Sequence, residues 1–264
     1  MMESERNDFD KPIREHPVVQ SRNVLVMTAT IDPRGMPNTA RCNPEIRLND
    51  YSLALQCWLA EGVVSHIIFC ENSGYDLQSL RQVVETMNPH HVDVEFLSCE
   101  PQSFPLHLGK GFGEIMILEH VVRNSRVLDS KSPFLKITGR LFLRNSAPLF
   151  SFLSNNPGID VFCNLSRNLT YTDSRVFGST PGFIGKYLCA QYSVLEESKG
   201  INFEKALARA VHLSMADGLR WSMLPVVPRF EGVSGTQNTS SEIGIVHSIA
   251  AGILLRIKRI AFSR

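Results

Sequence analysis

The sequence has no C-x-x-C pair, no surplus of either charge and no apolar run long enough to cross a bilayer. Cys42, Cys57, Cys70, Cys99, Cys163 and Cys189 are spread irregularly, most of them inside apolar runs such as the "IIFC" that ends at Cys70. Structural zinc sites need clustered thiolates, and disulfide scaffolds are short and cysteine-dense, so neither class fits. Buried, reduced thiols suit a reducing cytosol. Lys and Arg total 27 against 26 Asp and Glu, a net charge of +1, so no global field points to nucleic acid or acidic substrates. A local basic patch is still allowed. The longest apolar stretch, Ile243 to Leu255, has 13 residues, short of the roughly 18 to 20 that a spanning helix needs. The opening "MMESERNDFDKPIREHPVVQ" has no apolar h-region and does not read as a signal peptide, so a cytoplasmic location is expected.

Several catalytic signatures are missing too. There is no G-x-S-x-G elbow, no H-E-x-x-H, and no D-x-D triplet after a strand. "DVE" at Asp93 to Glu95 lies at a strand start and is rejected as a metal-holding pair. The eight histidines are scattered, and His90-His91 beside Pro89 reads as solvated loop.

What is present is a chain of 264 residues, 43% hydrophobic and 20% charged, able to bury a sizeable core. "NVLVMTAT" (Asn23 to Thr30) reads as a buried strand, and "IDPRGMPNTARCNP" as a loop. "RLNDYSLALQCWLAEG" is a helix with Asn49 or Asp50 as cap and Gly62 as stop. "VSHIIFCENSG", "DLQSLRQVVETMN" and "VDVEFLSC" continue as strand, helix, strand. The alternation predicts an α/β fold with a mostly parallel sheet flanked by helices. "LGKGFGE" reads as a glycine-rich loop before a helix over Ile115 to Asn124, and "PFLKITGRLFL" as a fourth strand with Gly139 inside it. Beyond about Ser146, helices are expected near Phe183–Leu195 and Phe203–Leu219, in a helical C-terminal elaboration packed on the sheet. The expected organisation is a polar extension over 1–22, one α/β domain over 23–242, and a basic amphipathic helix over 243–264. That last helix could pack on the core or lie in a membrane interface.

Open α/β sheets bind ligands outside the carboxyl ends of their strands. Thr28 and Thr30 end the first strand, Glu71, Asn72 and Ser73 the second, and Lys136, Thr138 and Arg140 belong to the fourth. Lys136, Thr138 and Arg140 stand at period two, hence on one strand face. Buried cations need partners, so they meet an anionic ligand or acids such as Glu71 or Glu114. In "GKGFGE", backbone N–H groups around Gly111 and the Lys110 side chain could meet a phosphate, although the spacing matches neither a Rossmann nor a Walker A pattern. "YTDSRVFG" adds Asp173 and Arg175.

At "CENSGYDL", "GKGFGE", "FLKITGR", "DSRVFG" and "PRFEGVSG" the chain resembles small glycosyltransferase-like proteins of bacterial lipopolysaccharide and capsule gene clusters, from about Asn23 to Gly235. The resemblance implies a GT-A-like fold, a nucleotide-sugar donor, and a glycan or lipid-linked acceptor. The chemistry of such a transfer then assigns candidates. Without a carboxylate pair for a metal, Lys110, Lys136 and Arg140 would neutralise the leaving phosphate. Thr28, Thr30, Asn72, Ser73, Gly111 and Thr138 would face the donor. Asp173, Glu114 and Glu71 are the candidate bases for the acceptor hydroxyl. No cofactor is required on this reading, with Mn²⁺ or Mg²⁺ a possible addition. A non-catalytic donor-binding or scaffold protein of the same assembly pathway is the alternative, and peripheral contact with the inner membrane through 243–264 is a further expectation.

Overall fold

The computed structural model describes residues 22–99, 104–131 and 133–232. The N-terminal stretch before residue 22, residues 233–235 of "PRFEGVSG" and the 243–264 segment lie outside the described residues.

Strand β1 (Val24–Ala29) is buried at all six positions. An apolar run of this kind needs cover on both faces, which a central parallel strand has. Its side chains divide with period two: Leu25, Met27 and Ala29 join one core, Val24 and Val26 the other. Parallel to β1 run β2 (His66–Glu71) on one side and β4 (Phe134–Thr138) on the other, with β3 (Asp93–Ser98) parallel beyond β2. Helix α1 (Pro44–Glu61) covers the Leu25 face with Tyr51, Leu55, Trp58 and Leu59, and α2 (Gln78–Thr86) adds Leu80. Helix α3 (Lys110–Asn124) covers the Val26 face with Ile115, Leu118 and Val121. The mostly parallel, helix-flanked sheet expected from the alternation is therefore the architecture found.

The second half supplies more sheet than the sequence suggested. After β5 (Leu141–Leu143) and α4 (Ala147–Asn155) come β6 (Val161–Phe162), the hairpin of β7 (Leu165–Ser166) and β8 (Tyr171–Thr172), and β9 (Val176–Ser179). A winding stretch begins with α5 (Pro181–Phe183), passes through a π turn and two 3₁₀ turns, and precedes α6 (Phe203–Ala216), β10 (Trp221–Ser222) and β11 (Phe230–Gly232). The main sheet has seven strands in the order β10-β6-β9-β4-β1-β2-β3, with β9 antiparallel to both its neighbours. Strands of two to four residues in polar surroundings carry too little periodicity to be read from sequence.

Three expectations need correction. The cap of α1 is Asn43, whose side chain accepts the Ile46 N–H at 3.1 Å, with Pro44 starting the helix and Gly62 closing it at φ 72°. Asn49 and Asp50 lie inside the helix, where Asp50 accepts from Arg41 at 2.7 Å. "PFLKITGRLFL" is two strands, because β5 leaves the main sheet and pairs antiparallel with β11. The break falls where Gly139 N donates to Thr28 O at 2.9 Å, and a Cβ at that glycine would stand 2.8 Å from the same oxygen. Finally, α3 begins at Lys110, so Gly111 and Gly113 are helical. They serve close approach: a Cβ on Gly111 would meet Phe203 Cβ at 2.9 Å, and one on Gly113 would meet Asn72 Nδ2 at 3.1 Å.

Gly178 of β9 stands directly opposite Phe162 of β6, and a Cβ there would fall 1.5 Å from the Phe162 ring. The ring is 1% exposed and has nowhere to turn. Gly178→Ala should therefore lower stability by about 1 to 3 kcal/mol, the usual cost of overpacking. Urea unfolding checks this, and adding Phe162→Leu should recover part of the loss. An unchanged midpoint for the single variant would show that the strand pair can yield.

Candidate functional site

The crossovers from β1 through α1 to β2, and from β3 through α3 to β4, put their helices on opposite faces of the sheet. The gap outside the carboxyl ends of β1 and β4 is therefore a switch point in strand order, where open sheets form a crevice. A cleft of about 710 Å³ opens there, within the range of small-molecule sites. Thr28, Thr30, Lys110, Gly111, Glu114, Lys136, Thr138, Arg140 and Asp173 all line it, although they span more than half the chain. Arg47, Tyr51, Arg167, Glu197 and Glu204, which the sequence did not single out as site residues, line it as well. Arg47 had one usable signal, an arginine placed four residues before Tyr51 on the apolar face of a helix.

Glu71, Asn72 and Ser73 do not line the cleft, which corrects the expectation drawn from the end of β2. Glu71 is fully buried, and its Oε1 accepts Ile31 N at 3.0 Å and Ser73 N at 2.8 Å, while Oε2 accepts Gly74 N at 2.9 Å and Tyr75 N at 3.2 Å. The Ser73 hydroxyl donates to the same carboxylate. A carboxylate saturated by backbone donors ties two loops together and has no access to a substrate hydroxyl. Asn72 accepts the Thr30 hydroxyl at 2.7 Å, and Ser73 Oγ accepts Asp32 N at 3.0 Å. These residues brace the cleft wall from behind.

The floor is a charged network. Lys136, 1% exposed, places Nζ 2.5 Å from Glu114 Oε1 and donates to Ser174 O at 2.7 Å. The Thr28 hydroxyl donates to Glu114 Oε1 at 2.8 Å. Lys136 does need a partner, as its burial implied, and that partner is an acid of the chain itself. Among the described residues no donor engages Glu114 Oε2, and the side chain is 23% exposed, so this carboxylate keeps an oxygen for a ligand. Asp173 is held differently. The Arg175 guanidinium grips both its oxygens, Nη2 to Oδ2 at 2.7 Å and Nε to Oδ1 at 3.0 Å.

Arg140 belongs to the turn after β4, not to a strand face shared with Lys136, and its guanidinium lies 5.9 Å from the Tyr51 ring centroid. Arg47 donates to Thr30 O at 2.8 Å and to Arg41 O at 3.1 Å, fixing the end of β1. Lys110 donates to Asn38 O at 3.0 Å. Burial pulls its pKa below the ordinary lysine value, opposed by the nearby Glu197 and Glu204. The glycine-rich segment already holds an anion, because Glu197 Oε1 accepts the Gly111 N–H at 2.8 Å. A protein carboxylate thus stands at the helix end where a phosphate was expected.

The cleft still has an excess of cations. Arg47, Lys110, Lys136, Arg140, Arg167 and Arg175 face Glu114, Asp173, Glu197 and Glu204, six charges against four. Among the described residues no three His, Cys, Asp or Glu side chains stand together as a metal site, and no helix is long and apolar enough to cross a membrane.

No family model and no curated relative matches the chain. Among solved structures, HddC from Yersinia pseudotuberculosis is similar at 13% identity and a TM-score of 0.40, over 80% of this chain and 93% of that one. The galactosyltransferase LgtC, solved with donor and acceptor sugar analogues, is similar at 9% identity and a TM-score of 0.46, over 75% and 73%. A cytidylyltransferase from Leptospira borgpetersenii is similar at 8% identity and a TM-score of 0.46, over 87% and 83%. Similarity at this level defines neither activity nor substrate.

Proposed function

We propose that the chain is a nucleotide-sugar-dependent glycosyltransferase of the GT-A-like kind, adding a sugar to a growing bacterial surface glycan such as lipopolysaccharide or capsule. The observation that carries this reading is the cation-rich cleft at the β1/β4 switch point, with one carboxylate, Glu114, set into its floor. In an inverting transfer the acceptor oxygen bonds to the donor's anomeric carbon as the bond to the diphosphate breaks. The hydroxyl proton passes to a base, and the nucleoside diphosphate leaves. Glu114 is the better base, since Arg175 occupies both oxygens of Asp173. Arg140 and Lys110 line the cleft beside Lys136, and on this reading they meet the diphosphate in place of a metal. The alternative is a protein that binds the donor without transferring it, favoured by the Glu197 carboxylate at the α3 N-terminus. A cytoplasmic location and contact of 243–264 with the inner membrane are parts of the proposal that rest on sequence alone.

The test is thermal shift with UDP-, GDP-, CMP- and dTDP-linked sugars, with Mn²⁺ and in excess EDTA. A ligand of the native state raises the melting temperature by mass action. One donor class should do so in EDTA, and Arg140→Ala should weaken its binding by about 1.5 to 3 kcal/mol, as for a hydrogen bond to a charged group. No response to any donor would sink the proposal. A response that needs Mn²⁺ would overturn only its metal-independence, and binding without turnover would favour the alternative.

A further inference from the structure

The tip of the β7–β8 hairpin is built at a cost. Arg167, Asn168 and Leu169 take φ of 49°, 58° and 65°, three successive non-glycine residues in the left-handed region that L side chains avoid. Such backbone persists only where its surroundings hold it, and it concentrates where geometry serves a ligand. Here Thr170 donates its hydroxyl to Arg167 O at 2.7 Å, and His212 Nε2 lies 2.8 Å from Leu169 O. The outcome is that the Arg167 guanidinium sits 4.1 Å from the centroid of the Tyr171 ring, with both residues lining the cleft.

Arg167 differs from the other cleft cations. Lys136 is paired with Glu114 and Arg175 with Asp173, and Arg47 is buried against backbone carbonyls. Arg167 is exposed, on a hairpin outside the seven-stranded sheet, and makes no ion pair or side-chain hydrogen bond with any described residue. A guanidinium resting on an aromatic face is held in place while its in-plane N–H donors stay available, in a fork that matches a carboxylate or phosphate.

We propose that Arg167, held over Tyr171, is a specificity-determining residue that binds an oxyanion, carboxylate or phosphate, carried by the acceptor glycan. The proposal rests on the cleft being a sugar-transfer site, with the donor on the buried floor and the acceptor reaching it past this rim. A cation at the rim with no acid paired to it among the described residues selects for acidic glycans over neutral ones.

The experiment uses the full chain on immobilised maltooligosaccharides, oligogalacturonates and phosphomannans, comparing wild type with Arg167→Gln and Arg167→Lys. Retention should be confined to the acidic glycans, fall with salt, drop at least tenfold in Arg167→Gln, and be partly kept in Arg167→Lys. Which acidic set is retained distinguishes carboxylate from phosphate. The thermal response to the nucleotide donor should be unchanged in both variants. Equal retention of neutral glycans, no retention of either acidic set by wild type, or full retention by Arg167→Gln would overturn the proposal. So would a parallel loss of the nucleotide response in Arg167→Gln, which would mark the residue as structural. Absence of any nucleotide response in wild type, with acidic glycans still retained, would undo the transferase reading while leaving the anion site standing.

Discussion

Lys136→Met is expected to destabilise the protein by about 3 kcal/mol, the low end of the range for removing one partner of a buried pair. Lys136 is 1% exposed and meets Glu114 and Ser174 O, so its loss strands a carboxylate beneath the cleft and orphans a carbonyl. The low end applies because Glu114 is 23% exposed and water can reach part of it. Part of the loss should return in the Lys136→Met, Glu114→Gln double variant, where no unpaired charge is left. Denaturant unfolding of the four proteins closes the cycle. An interaction energy near zero across the cycle would show that the two charges are not coupled as the geometry requires.

Turnover should be lost most severely in Glu114→Gln. Positioned general bases contribute about 10² to 10⁴-fold, so with the responding donor the rate should fall by that factor while nucleotide affinity, measured by calorimetry, stays as in wild type. Glutamine keeps an oxygen that can accept from Thr28 and Lys136, so the floor has the means to survive the change. Asp173→Asn provides the comparison. If that variant loses more turnover than Glu114→Gln, the base is Asp173 and its bond to Arg175 must open during catalysis.

The alternation of strands and helices from β1 to β4 was legible because each strand and α-helix there runs for at least five residues, long enough for a period to show. Sheet topology then did the rest for the site. The carboxyl ends of β1 and β4 are where the sequence placed Thr28, Thr30, Lys136 and Thr138, and the structure brings them into one cleft. Glu71 misled because a polar residue at a strand end looks the same whether it faces substrate or receives backbone N–H groups from its own loop. Three glycines in five residues suggested a phosphate loop, but two of them serve helix packing, which spacing alone does not distinguish. Arg167 and Glu197 were out of reach, since each enters the cleft through a short irregular element whose position depends on tertiary contacts.

The split of "KITGRLFL" between two sheets sets an order of events as the chain leaves the ribosome. Thr28 waits 86 residues for Glu114, Lys136 follows soon after, and the floor network closes when Asp173, Ser174 and Arg175 emerge. The far wall waits much longer, because β5 has no partner until Phe230–Gly232 emerges to pair with it. At about 5 to 20 residues per second, a nascent chain spends several seconds with β5 as an open strand edge. Closing that last strand pair is a long-range step of the kind that slows folding. The cleft lining is therefore complete only once Phe230–Gly232 has emerged, well after the parallel core can form.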